Sequence, residues 1–428
     1  MLDITQRQEI INLMHREIVP AIGCTEPIAV ALCVAKARET LGDIPEKIDV
    51  FLSKNIIKNA MGVGIPGTGM IGLPIAIALG ATIGKSAYKL EVLKDVTMRD
   101  VEYGKRFIED DKINISLKEN CPDNLYIEVH CHAKDNKSIA IIRGAHDNFT
   151  YLAKNNQIIY QQDYIGNEDN SFKIDLDYDK IFEFTTETPI EELEFILDAA
   201  DMNKNASIIS KNGDYGHQIA KILSSEIANK IIGENILNDI ISSTAGACDL
   251  RMDGAMVPVM STAGSGNQGI AATLPVTLFA QYLSSSEDQL VRALTLSNLM
   301  VIYIKQKIGK LSPLCGCVVA STGACCGITY LLGGSKSQIS SSAKNMIASI
   351  TGMICDGAKP SCSLKIATSI YTAALSALMA IENKVVSHHE GIIDNDLEKT
   401  INNLTIIGTK GMQEIDNVIL DIMTNKNN

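Results

Sequence analysis

The sequence predicts a mainly α-helical chain with an inserted α+β module, and three observations carry that expectation. From Pro189 to the end, apolar residues recur at helical spacing. Between Lys85 and about Gln162 charge is dense and apolar residues alternate as in strands. Three long stretches, Ala60 to Gly84, Gly254 to Ser286 and Leu311 to Ser335, carry no charged side chain and hold cysteines or glycine-rich turns. The expected division is 1–85 as the N-terminal part of the helical domain, 86–188 as the α+β insert and a connection, and 189–428 as the helical remainder.

Taken in order, Ile11, Met14 and Ile18 share one helical face, and Pro20 ends that helix. Gly23-Cys24-Thr25-Glu26-Pro27 then forms a turn before an apolar helix, with Thr25 as cap and Pro27 in the first turn. Cys24 so placed meets the positive end of a helix, which favours a thiolate. Ile48 to Ser53 reads as a strand. In Leu125 to Ala133 the odd-numbered residues make an apolar face, leaving His130 and His132 on the wetter one. Ser138 to Arg143 pairs with that strand. Asn167 to Thr188 is polar and reads as a connection. Helices are expected at 190–200, 217–232, 289–308, 340–354 and 366–381. A last amphipathic helix places Met412, Ile415, Val418, Ile419 and Ile422 on one stripe.

A net charge of −12 argues against nucleic acid or an anionic membrane as partner, because both need a basic face. The N-terminus lacks the basic region and apolar run of a signal peptide, so a cytoplasmic location is expected. The uncharged stretches are long enough to span a bilayer. The first, however, holds seven Gly and two Pro in 25 residues, which fits a buried, water-excluded site better than a membrane span. Eleven cysteines in a reducing compartment stay thiols, and some are inert core: Cys33 lies in a packed helical pattern, and Cys121 and Cys248 belong to no motif.

Six cysteines fall within 48 residues, as Cys315-Gly-Cys317, Cys325-Cys326, and Cys355 with Cys362. Neither the paired spacing of zinc ribbons nor the ferredoxin run is present. A scattered set held between helices suits a soft-metal site, with Cys325 and Cys326 as packing. The glycine-rich loops at 62–69 and 261–269 precede apolar helices, and their backbone N–H groups suit a phosphate or a carboxylate. Lys359 and Lys365 have no phosphate cup close by, which disfavours pyridoxal chemistry.

Five segments in order resemble the L-cysteine desulfidases, a group related to the alpha portion of iron–sulfur L-serine dehydratases. They are Gly23 to Pro27, Ile65-Pro-Gly-Thr68, Ser265-Gly-Asn-Gln-Gly269, Cys315-Gly-Cys317, and Cys355 to Cys362. Met256 to Gly266 also resembles the Pro-Thr-Ala-Gly segment of the dehydratases. The resemblance implies a serine dehydratase alpha-like fold and a [4Fe-4S] cluster on Cys317, Cys355 and Cys362, with one iron open as Lewis acid. The implied reaction is α,β-elimination of L-cysteine to sulfide, pyruvate and ammonia. It further implies Cys24 as base or transient fourth ligand, Glu26 toward the substrate ammonium, and Thr68, Ser265, Gly266, Asn267 and Gln268 as substrate-binding residues. His146 also matches a family segment. The dehydratases' cysteine near the C-terminus is missing here. The expected partner is a small amino acid, and a homodimer is compatible with it. L-serine dehydration and a non-enzymatic metal-binding protein that holds a metabolite are the alternatives.

Overall fold

The computed structural model describes residues 2–121, 123–163, 174–309 and 312–426. Leu311, which opens the third uncharged stretch, and part of the expected 167–188 connection lie outside these residues. The strands are β1 (Ile18–Ile22), β2 (Lys47–Leu52), β3 (Gly64–Ile65), β4 (Met70–Ile71), β5 (Ile113–Leu117), β6 (Tyr126–Ala133), β7 (Asn136–Arg143), β8 (Phe149–Lys154), β9 (Gln157–Gln161) and β10 (Pro258–Thr262). Helices α1 (Ile4–Glu17), α2 (Thr25–Leu41), α3 (Lys54–Ala60), α4 (Leu73–Thr82) and α5 (Met98–Glu109) lie in the first part of the chain. After the sheet come α6 (Tyr178–Glu187), α7 (Leu197–Asn212), α8 (Ile219–Leu223), α9 (Glu226–Ile231), α10 (Ile236–Met252) and α11 (Gly266–Tyr282). The last six are α12 (Glu287–Ile308), α13 (Gly316–Leu331), α14 (Lys336–Ile350), α15 (Cys362–Ile381), α16 (Leu397–Ile406) and α17 (Ile415–Thr424). The chain is thus mainly helical with a mixed sheet.

The sheet runs β5-β2-β6-β7-β8-β9, with β2 and β5 parallel and the other neighbours antiparallel. Its apolar face, including Ile48, Val50, Ile127, Val129, Cys131 and Ala140, packs under the alanine-rich helix α2. The sheet is not a self-contained insertion. β2 comes from ahead of residue 85 and sits between β5 and β6, so the N-terminal stretch supplies both a strand and its covering helix.

The helical half is built around α13, which packs against α11, α12, α14 and α15. Small residues permit this. A Cβ at Gly323 would stand 2.4 Å from the carbonyl oxygen of Ser297, and one at Gly327 2.8 Å from that of Ala293. Cys325 and Cys326 are fully buried in this helix. α15 is long and apolar enough to cross a membrane, yet α10, α13 and α14 pack against it.

Local corrections follow from distant partners. Ile18 does not continue the first helix; it opens β1, which pairs antiparallel with β10, Ile18 opposite Thr262. Residues 178–187, read as connection, form α6, whose N-cap Asp177 accepts a hydrogen bond from the backbone N–H of Lys180. The last helix buries Ile419 and Leu420 but exposes Val418 and Ile422, so the expected stripe is turned.

Candidate functional site

The glycine-rich turns let distant segments touch. Gly23 has φ of 65°, and a Cβ there would be 2.3 Å from Pro66 Cγ, so the turn before α2 lies on the 65–68 loop. A Cβ at Gly64 would be 2.2 Å from the Asp253 carbonyl carbon, and one at Gly316 3.2 Å from Gln268 Cγ. The three uncharged stretches therefore meet.

Cys24 is the N-cap of α2 and is buried. Its Sγ donates to Glu26 Oε2 at 3.0 Å, while Glu26 Oε1 accepts from Asn59 Nδ2 at 3.1 Å. Burial first, and then the Glu26 carboxylate, push the Cys24 thiol well above its ordinary value, with Arg251 opposing. The lowering expected from the helix end is thereby reversed. For Glu26, burial would raise the carboxyl, but the field of His146 and the Cys24 hydrogen bond outweigh it and leave a net lowering. Resting, the pair holds its single proton on sulfur.

At the start of α11, Ser265 is the N-cap and makes no side-chain capping bond. The preceding turn places Ala263 at φ 50° and Gly264 at φ 79°, and such left-handed non-glycine geometry stores strain. Asn267 Oδ1 accepts from Arg251 Nη1 at 3.1 Å, and Gln268 Oε1 is buried without a hydrogen-bond partner. Thr68 Oγ1 instead serves its own turn: it donates to the carbonyl oxygen of Ile65 at 2.7 Å and accepts from the N–H of Met70 at 3.0 Å.

The cysteine loops are joined by backbone. The Cys315 N–H donates to Met353 O at 3.0 Å, and the Cys355 N–H to Pro313 O at 2.7 Å. Cys315 Sγ and Cys317 Sγ are 3.2 Å apart, and Cys317 Sγ is 3.1 Å from Met353 Sδ. Cys362 opens α15, with its Sγ donating to Gly357 O at 3.6 Å. Burial raises the Cys362 thiol to about 11, and the fields of Cys315 and Cys355 add to that, which places all of them in one neighbourhood. Hydrogen bonding from Cys317 holds Cys315 down at about 6, helped by Lys365. Lys359 and Lys365 both pair with Asp356. One short helix links the two groups of residues: the Lys58 carbonyl lies 2.1 Å from where a Cβ on Gly357 would be, and the next residue, Asn59, holds Glu26.

Among the described residues, no three Cys, His, Asp or Glu side chains are placed to hold a single metal ion. A cubane cluster makes a different demand, since each of its irons takes its own thiolate. Lys365 acts on Cys317, Lys58 and Lys365 on Cys355 and Lys359 on Cys362 toward the thiolate, but burial and the neighbouring sulfurs outweigh them and leave all three thiols raised. Thiol sulfurs are the donor type that such a cluster takes. Sequence reasoning missed Arg251 and Asn59, weighed Lys365 only for pyridoxal chemistry, and left Cys248 outside every motif. Cys248 is fully buried and feels both Cys362 and Cys315, but no motif surrounds it. Arg251 carried one weak signal, a cation between Asp249 and Asp253 just ahead of the second uncharged stretch.

The chain matches the serine dehydratase alpha chain family over residues 87–421. It is 57% identical to a UPF0597 protein of Bacteroides fragilis across 99% of each chain. It is also 57% identical to a UPF0597 protein of Phocaeicola vulgatus, across 100% of this chain and 99% of that one. A UPF0597 protein of Actinobacillus pleuropneumoniae is 40% identical across 98% of this chain and 97% of its own length.

Proposed function

The chain belongs to the serine dehydratase alpha chain family, and within it we propose an L-cysteine desulfidase: a lyase that converts L-cysteine to sulfide, pyruvate and ammonia by α,β-elimination. What supports this reading is that α3 touches both groups, with the Lys58 carbonyl against Gly357 in the cysteine loop and Asn59 bonded to Glu26, whose other oxygen accepts from Cys24. Cys317, Cys355 and Cys362 would hold a [4Fe-4S] cluster. When bound, that group supplies a Lewis-acidic iron with an open position.

The protein's own residues supply binding and proton transfer. Glu26, ionised, receives the substrate ammonium, while Ser265, Asn267 and the first turn of α11 face its carboxylate. Docking an ammonium on Glu26 cancels the carboxylate field that raises the Cys24 thiol. Cys24 then passes its own proton along the 3.0 Å hydrogen bond to Glu26 Oε2, and the thiolate so formed takes the α-proton, a step worth roughly 10²–10⁴-fold in such catalysis. All eleven cysteines are free thiols, which suits a cytoplasmic location.

The test is iron and acid-labile sulfide analysis of anaerobically purified protein, followed by turnover of L-cysteine and L-serine. Expected are a brown protein, equal release of sulfide and pyruvate, and a higher kcat/KM for L-cysteine. Cys317→Ala, Cys355→Ala and Cys362→Ala lose the iron; Cys24→Ala keeps it and loses turnover. Family membership favours L-serine dehydration as the second reading, and pyruvate from serine without sulfide from cysteine would establish it. Metal-free protein without either product overturns both.

A further inference from the structure

We propose that Arg251 binds the substrate's carboxylate and, with Glu26, restricts this site to α-amino-acid zwitterions. The inference rests on the reading of this site as one for an amino acid. Arg251 ends α10 and is only 3% exposed. Its Nη1 donates to Asn267, a neutral partner, and its Nε is buried without any hydrogen bond. Among the described residues, no carboxylate stands within ion-pair distance of it. A buried charge without a counter-charge is among the costliest arrangements in a protein. The N-terminus of α11, itself a positive pole, lies against the same guanidinium, because a Cβ on Gly266 would be 2.3 Å from Nε. Two positive features therefore converge where, among the described residues, no carboxylate is close enough to form an ion pair.

The complementary charge is near but apart. Glu26 feels the field of Arg251, yet its oxygens are taken up by Cys24 and Asn59. Gln268 Oε1, buried and unpartnered, adds an acceptor on the side of α11. A ligand that offers a carboxylate to Arg251 and an ammonium to Glu26 satisfies both charges at once. Amines and simple carboxylic acids satisfy one.

Three probes without a leaving group separate these classes: L-alanine carries both charges, propionate only the carboxylate, and ethylamine only the ammonium. On the full chain, L-alanine should raise the thermal midpoint and inhibit L-cysteine turnover competitively, while propionate and ethylamine at equal concentration do neither. Arg251→Gln should abolish the L-alanine shift and raise KM about 10- to 100-fold, the worth of a charge-assisted hydrogen bond. Arg251→Lys should restore part of it. Gly266→Ala keeps the charge but displaces the guanidinium, so it should act like Arg251→Gln and decides the matter if that variant does not fold. An undiminished L-alanine shift in Arg251→Gln, or propionate equal to L-alanine, overturns the proposal. An Arg251-dependent L-alanine shift in a protein that releases no sulfide keeps the cradle and removes the desulfidase reading. Sulfide release at unchanged KM in Arg251→Gln does the reverse.

Discussion

At Cys24 two electrostatic effects compete, and their sizes decide the outcome. A helix N-terminus is worth about 0.3–1 kcal/mol toward a thiolate. Full burial shifts a titrating group by up to about 3–5 pKa units, each worth about 1.4 kcal/mol, in the opposite direction. Cys24 is buried and sits 3.0 Å from a carboxylate oxygen, so burial wins and the resting sulfur stays protonated. Glu26→Gln removes the second cause of that rise. Its Cys24 should therefore be alkylated faster than that of the parent protein at pH 8, measured by peptide mapping after a timed iodoacetamide pulse. Equal or slower labelling would mean that Glu26 does not set the state of this thiol. Arg251 obeys the same rule from the other side: what makes it informative is its burial without a counter-charge at ion-pair distance among the described residues, which a single residue's identity does not reveal.

At the scale of elements, the sheet's outer surface carries an ionic centre that titrates. Glu128 on β6 accepts from Tyr126 Oη and bonds His130 Nε2, each at 2.7 Å, and also pairs with Lys118. Burial would raise its carboxyl, but these three partners outweigh that and hold it at about 2 against an ordinary 4.5. A lowered folded-state value contributes stability above pH 4.5, and that contribution disappears as pH falls toward about 2. Glu128→Gln should therefore lower the urea midpoint at pH 7 and pH 5, with the gap to the parent protein closing by pH 2.5. A gap that stays constant over this range would show that the charge is not what matters. This strand was legible from alternation alone, because Ile127, Val129, Cys131 and Ala133 face one apolar neighbour, α2. β1 was not, since its partner β10 lies more than two hundred residues away and nothing local marks the ladder. α6 was hidden for a related reason: its polar sequence is helical because Ile181 and Phe184 find a core that other segments build.

Across the whole molecule, the same division separates what the chain declares from what only packing creates. Unusual local composition, such as Cys-Gly-Cys and the glycine-rich loops, marked the segments that meet. Asn59, Lys365 and Arg251 gain their positions from contacts between those segments, and no spacing encodes that. The joint that holds the segments together is α3 with α17. Lys58 is 2% exposed and pairs with Asp416 of α17 at 2.5 Å, while its carbonyl supports Gly357 in the cysteine loop and its neighbour Asn59 holds Glu26. Asp416→Asn strips the counter-charge from a buried ammonium, a change that costs about 3 kcal/mol or more. The thermal midpoint should fall, and iron retained after anaerobic desalting should fall with it, because the Gly357 turn loses its base. Replacing both partners, as Lys58→Met with Asp416→Leu, removes the stranded charge and should recover most of the midpoint. A single variant with an unchanged midpoint, or a double variant no better than the single, would mean that the cysteine loop and the Cys24–Glu26 pair are held in register by something other than this buried ion pair.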